Sequence, residues 1–320
     1  MANTTATLTS SVQVYYEKKF LENLKREHQY NEFTRKYSIP RGSGPVIYFT
    51  RYTLMPGATS ALTEGTTPTL EDLSDNRVST TLSQYGNATQ ISDLLLGVHI
   101  SGTNQFIEQS VDELSYQAKD TTDLLVRNAM AAGTNITYAK GRAALSDVNG
   151  SADNFAASDI RKIVRALKRR AVPTWDGQHY IGIIAPEQQY DLLSEATTGG
   201  WLDANKYATP ENIYKGEIGR LYGVRFYTST NTSSLSTTAT SGTVYEAYFF
   251  GKDVVGAIDL AGMAKGSRRL EHINLYIKLP NDSGTSDPLE QRATVGYKMT
   301  FGAKLLDNDR MQKLVSGGTG

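Results

Sequence analysis

The 320-residue sequence contains no cysteine, which excludes disulfides, thiolate zinc sites, iron–sulfur clusters and a cysteine nucleophile together. Net charge is missing too: 33 lysines and arginines face 33 aspartates and glutamates, so the sum is +0 with histidine neutral. Without a general attraction to nucleic acid or an anionic membrane, any electrostatic partner must be met by a local patch. No apolar run reaches the roughly 18 residues a membrane helix needs. The N-terminus, MANTTATLTSSVQVYYEKKF, lacks the basic start and apolar core of a signal peptide. The chain reads as soluble and intracellular in origin, with no membrane partner. Its sequons, Asn87-Ala88-Thr89 and Asn149-Gly150-Ser151, then read as chance products of a chain rich in serine, threonine and asparagine.

Catalytic signatures are equally scarce. His28, His99, His179 and His272 are far apart, and none has the spacing that puts two metal ligands on one helical face. No G-x-S-x-G elbow occurs. No catalytic set, metal or cofactor is expected, and the chain is not read as an enzyme. A hydrolase whose site assembles from distant residues stays open as an alternative.

One stretch, GEIGRLYGVRFYTST (216–230), has glycines near the spacing of a nucleotide-binding loop. Such loops follow a strand and open a helix, so that free amides and the positive helix end face the anion. Here the predicted order is reversed. Thr209 caps a short helix, TPENIYKG, with Pro210 at its first position and Gly216 just past its end. Gly219 and Gly223 then permit tight turns before the alternating Val224, Arg225, Phe226 and Tyr227. A helix C-terminus repels phosphate, so nucleotide binding is not expected.

What is present is an extended architecture. Residues 11–39 are charged and tyrosine-rich, with Tyr15, Tyr16, Phe20, Leu24 and Tyr30 loosely at helical spacing, and read as an arm lying on some other surface. VIYFTRYTLMP (46–56) and NRVSTTLSQYGNATQIS (76–92) read as the strands of a long hairpin, polar on both faces. A two-stranded ribbon is marginal alone in water, so another subunit is expected to cover it. Ile107, Val111, Leu114, Ala118, Thr121, Leu125, Ala129 and Ala132 follow a 3.6-residue period and predict a helix over 104–132. Glu108, Asp112, Glu113, Asp120 and Asp123 form its acidic side, read as a solvated face. A second helix is predicted from Ser158, capped by that hydroxyl. Its apolar stripe is Ile160, Ile163, Val164 and Leu167, and its basic face is Arg161, Lys162, Arg165, Lys168, Arg169 and Arg170. Cations in the last turn suit the helix dipole, while nucleic acid or an acidic neighbour is the functional alternative. A buried strand enters a helix at Pro186, and alternating strands and helices over 158–260 indicate an α/β unit. LEHINLYIKL and RATVGYKMTF read as an antiparallel pair along the long helix. In the second, Ala293, Val295, Tyr297, Met299 and Phe301 share one face.

Four stretches in this order, LTEGTTP (62–68), QYGNATQISD (84–93), the long helix beginning near Phe106 and GEIGRLYGVRF, resemble the major capsid proteins of tailed bacteriophages, specifically the N4-like family. The resemblance implies an α+β fold of the Hong Kong 97 type. Carried onto this sequence, it implies an N-terminal arm at 1–40, an extended loop at 41–95, a peripheral domain at 96–150 with 262–320, and an axial domain at 151–261. It implies no enzymatic activity and a virion location after assembly in the host cytoplasm. The partners it implies are further copies of the chain in pentamers and hexamers, a portal and packaged double-stranded DNA, with room for a decoration protein. Only about 40 residues precede the hairpin, so a separate scaffold protein is expected. Zero net charge makes the expected DNA contact diffuse. In such shells the loop lies over the next subunit, so candidate contacts are the polar Arg51, Glu64, Glu71, Asp72 and Arg77 and the apolar Tyr48, Tyr52, Leu54 and Leu62. An encapsulin-like compartment of the same fold is the nearest alternative.

Overall fold

A computed structural model describes residues 29–40, 42–53, 55, 57–67, 70–98, 103–195, 217–236, 243–260, 273–280, 288–289 and 291–318. The described part of the expected arm docks on its own chain. It forms one helical turn, α1 (Gln29–Glu32), and β1 (Arg35–Ile39), and buries Tyr30 and Phe33. Asp123 accepts the backbone amides of Tyr30 at 2.9 Å and Asn31 at 3.2 Å, and Asn231 donates to it at 3.1 Å. Asp123 is therefore not on the solvated acidic face expected from sequence; it is 1% exposed, because a buried carboxylate with such donors is satisfied.

The ribbon forms as expected, but shorter. β2 (Val46–Tyr52) pairs antiparallel with β3 (Asp75–Thr81), Val46 opposite Thr81 and Tyr52 opposite Asp75. The second predicted run breaks at Leu82, whose amide donates to the Pro45 carbonyl at 2.8 Å and closes the ribbon's base. Beyond it β4 (Ser83–Ser92) leaves the ribbon and pairs with β13 (Arg292–Leu305) in the body. A short helix, α2 (Asp93–Val98), follows.

The long helix, α3 (Thr103–Ala131), spans about 43 Å at 1.5 Å per residue. Its fully buried stripe starts with Ile107, Val111, Leu114 and Ala118 but continues through Thr122, Val126 and Met130, while the predicted Leu125 and Ala129 pack beside it half-buried. Steps of four residues advance about 400° at 3.6 residues per turn, so this stripe winds around the helix. Its two halves consequently meet different partners. The first packs on Ile91, Ala293, Val295, Tyr297 and Met299. The second, together with Tyr30 and Phe33, packs on Ile181, Ile183, Tyr248 and Phe250.

Those partners belong to two mixed sheets. In the five-stranded sheet β13 pairs with β4 along one edge, while β12 (Ile273–Lys278) and β11 (Val255–Leu260) share the other in tandem, and β1 runs parallel to β11. β12 and β13 are the antiparallel pair expected along the long helix. At Gly86 in β4 an added Cβ would come within 2.5 Å of the Tyr297 carbonyl oxygen, so strand approach there requires the missing side chain. The seven-stranded sheet runs in the order β5 (Ile136–Tyr138), β14 (Met311–Gly317), β10 (Thr243–Phe250), β6 (Tyr180–Ile184), β8 (Val224–Thr228), β7 (Glu217–Leu221), with β9 (Ser234–Ser236) added to β10. Against one of its faces α4 (Ala157–Arg169) and α5 (Pro186–Ser194) bury Ile160, Ile163, Leu167 and Leu192 on Val224, Phe226 and Phe249. β5 and β14 join the larger sheet, and β11 joins the smaller.

Two local expectations change. Ser158 is not the cap of α4; Ala156 holds that position, and the amide of the buried Ala157 is satisfied by the Glu195 carboxylate at 2.7 Å. A residue distant in sequence thus does the work expected of the local hydroxyl. Gly219 lies within β7 at a register shift rather than in a turn before β8. The turn itself is Tyr222-Gly223, both at positive φ (51° and 82°), the two-residue geometry that matches strand twist in hairpins. The predicted helix at 209–216 lies outside the described residues.

The loop from α4 into β6 is held by Asp176. Its carboxylate accepts the amides of Gln178 (3.0 Å) and His179 (2.7 Å) and pairs with Arg225 at 2.6 Å. Burial pushes this carboxyl up, but the amide bonds, the His179 ring and Arg225 outweigh it and hold it well below the usual carboxylate range. A depressed folded-state value contributes stability above the unfolded value near 3.9 and loses it as pH falls below that. Asp176→Asn is therefore expected to lower the melting temperature at pH 7 and to flatten its fall below about pH 4. Parallel melting profiles of the two proteins between pH 2 and 7 would remove this role.

Candidate assembly surfaces

The ribbon has two unlike faces. Ile47 and Phe49 of β2 and Val78 and Thr80 of β3 are half-buried, and Phe49 packs against the Tyr37 ring at 4.8 Å. Arg51 shares this inner face and pairs with the buried carboxylate of Asp307, which Arg310 also engages at 3.0 Å. Of the expected inter-subunit contacts, Arg51 is thus engaged within its own chain. On the outer face Tyr48 is 64% exposed and Tyr52 62%. Arg77 stands beside Asp75 at 3.9 Å with both side chains largely in solvent. An exposed pair of that kind is worth about 0–1 kcal/mol.

Beyond the strands the tip carries Glu64, Glu71 and Asp72, all exposed. Leu62 is 79% exposed there; Leu54 lies outside the described residues. Met55, Leu70 and Leu73, which no sequence pattern singles out, are 51%, 86% and 60% exposed in the same region. The polar setting LEDLSD hid the two leucines, because isolated leucines between acids give no period. Single exposed apolar side chains are ordinary on a surface. Several of them together, exposed among the described residues on the tip of a ribbon, are the pattern of an interaction site.

The basic helix face divides similarly. Lys162 is tied to the fully buried Asp159 at 2.9 Å. Arg170 turns inward to the Met311 carbonyl and the Gln312 side chain. Arg161, Arg165, Lys168 and Arg169 remain on the open side. Among the described residues no group of three or more His, Cys, Asp or Glu is arranged to hold a metal, and of the four histidines only His179 is described. No described helix is long and apolar enough to cross a membrane.

No protein-family model matches the chain, and neither does any curated protein. Solved structures match over nearly its whole length. The capsid of Ralstonia phage GP4 is 15% identical, with a TM-score of 0.66 over 92% of this chain and 89% of that one. The cyanophage Pam1 capsid is 14% identical, with a TM-score of 0.67 over 93% of each chain. The SrpI encapsulin complex from Synechococcus elongatus PCC 7942 is 9% identical, with a TM-score of 0.57 over 90% of this chain and 86% of that one. At such identities the likeness speaks to architecture. The chain has the Hong Kong 97-type capsid fold, α+β, along nearly all of its length.

Proposed function

We propose that this chain is the major capsid protein of a tailed bacteriophage, N4-like in its motifs, and that it self-assembles as pentamers and hexamers into an icosahedral shell enclosing double-stranded DNA. The observation that carries this reading is the ribbon's open outer face and tip: an extended hairpin with exposed Tyr48, Tyr52, Leu62, Leu70 and Leu73 on a capsid fold. Head-to-tail contacts that place one ribbon over the next subunit are heterologous and close into rings. The larger sheet, β5 and β14 included, would form the axial domain around the ring centre. The smaller sheet with the first half of α3 would form the peripheral domain under the neighbour's ribbon. In this reading the protein is structural and not an enzyme. It works in the virion after assembly in the bacterial cytoplasm, with a separate scaffold protein and a portal as partners and with room for a decoration protein.

The likeness to the encapsulin supports a second reading, a protein-filled compartment of the same fold, at a lower TM-score of 0.57. Negative-stain microscopy of the purified chain, with and without co-expressed phage scaffold, tests both. Closed particles are expected, holding nuclease-protected DNA when formed in infected cells. A chain that stays monomeric at high concentration in every condition overturns both readings. Particles filled with protein and free of DNA favour the compartment.

A further inference from the structure

The open side of α4 carries Arg161, Arg165, Lys168 and Arg169 around a shallow groove closed by Tyr222. The Arg161 guanidinium lies 5.5 Å from the centre of the Tyr222 ring. Tyr222 sits at the β7–β8 turn at φ 51°, where asparagine or glycine is the usual choice, and this turn sets its ring beside the helix. No acidic side chain among the described residues pairs with these four cations. Arg161 and Arg165, and Arg165 and Arg169, are like charges four residues apart, an arrangement that destabilises a helix. The dipole offsets this only for the last turn. The stripe from 161 to 169 runs about 12 Å along the axis at 1.5 Å per residue.

We propose that this groove is a binding surface for the phosphate backbone of double-stranded DNA, so that contact with packaged DNA is focused on α4 and not spread over the chain. The proposal rests on the shell reading above. An electrically balanced chain concentrates unpaired cations here, and a duplex supplies an unbroken line of negative charge, one per about 1.7 Å of its axis. Two of the arginines can fork onto phosphate oxygens. A protein partner fits less well, since the groove offers no large aliphatic anchor. Contacts of this kind carry no base sequence information, as a container for a whole genome requires.

The test measures binding of a 20-base-pair duplex of arbitrary sequence to the full-length chain, kept below its assembly concentration, as a function of salt. Four phosphate contacts give a slope of log K against log salt of about −3.6. Arg165→Glu/Arg169→Glu is expected to reduce the slope to about −1.8 and to weaken binding at least about tenfold at low salt. Arg165→Lys/Arg169→Lys, which keeps the charge, should retain most of both. The exposed positions leave the melting temperature in place, which serves as the folding control. Unchanged affinity and slope in the glutamate variant overturn the proposal. So does a glutamate variant that binds DNA normally but no longer forms particles, which would assign the face to an acidic neighbouring subunit. Wild-type particles that form while the wild-type chain shows no salt-dependent DNA binding defeat this proposal and leave the shell reading intact. A wild-type chain that never assembles defeats the reading on which it rests.

Discussion

Leu62→Asp/Leu70→Asp is expected to abolish closed particles while leaving the subunit folded. In the single chain both leucines are in water, 79% and 86% exposed, so their replacement removes almost no buried area; surface changes of this kind stay within about 0.5 kcal/mol. In an assembly that covers the ribbon, each leucine contributes about 1.5–3 kcal/mol when fully buried. Losing both costs about 3–6 kcal/mol per interface, which lowers its association constant by roughly 10² to 10⁴. Each aspartate adds the penalty of an unpaired charge in an apolar contact. Because every subunit repeats the contact, the loss recurs around every ring and closure fails. Leu62→Ala/Leu70→Ala keeps small apolar groups and is expected only to raise the concentration at which particles appear. Sedimentation and negative-stain microscopy read assembly, and the melting temperature of the unassembled fraction reads folding. Normal particles from the aspartate variant would show that the ribbon tip is not an assembly contact.

That experiment targets residues only partly visible in the sequence. The ribbon, the long helix and the inward face of β13 are legible because their apolar residues keep a regular period against a one-sided core. Where two elements alternate alike the period is blind, and so the run over 76–92 gives no warning that it changes partners at Leu82. The drift of the α3 stripe from Ala118 to Thr122 escapes for a related reason. Ala, Thr and Leu at 118, 121 and 125 satisfy a straight stripe equally well, and only the second sheet decides between them. Arg51 looks like a free cation because its acceptor, Asp307, is 256 residues away.

β14 is the largest element without a sequence signal. MQKLVSG neither alternates nor runs apolar, yet all seven residues are buried. Sheets covered on both faces lose alternation, and the polar members of this strand are satisfied by remote groups. Ser316 accepts from Gln188 at 2.8 Å, Gln312 donates to Thr137 at 2.9 Å, and Lys313 reaches Glu246. A strand stabilised by polar partners elsewhere in the chain is read as a loop until those partners are located. The same holds for the candidate surfaces: Lys162 and Arg170 are indistinguishable in sequence from Arg165 and Arg169, and only their buried acceptors separate them.

The Lys313 ammonium lies 2.8 Å from the Glu246 carboxylate, both side chains less than a tenth exposed, and donates to the Ala131 carbonyl at the end of α3 at 3.2 Å. Tyr248 donates to the other Glu246 oxygen at 2.7 Å. Burial, reinforced by Glu246, pushes the Tyr248 hydroxyl up, which keeps it a donor. This network ties the long helix to the centre of the larger sheet. Lys313→Met leaves Glu246 buried and uncompensated and is expected to cost about 3–5 kcal/mol, a large part of the 5–15 kcal/mol typical of a folded domain. Lys313→Met/Glu246→Gln removes the stranded charge and is expected to recover most of that loss, since replacing a whole buried pair is often near neutral. Urea unfolding of both variants should be done in the Leu62→Asp/Leu70→Asp background. Assembly stabilises whatever folds into it by mass action and would mask the difference. A single variant within about 1 kcal/mol of its parent would show that water reaches Glu246 when the lysine goes. A double variant as unstable as the single one would mean that packing of the Lys313 stem, not the charge, holds this junction together.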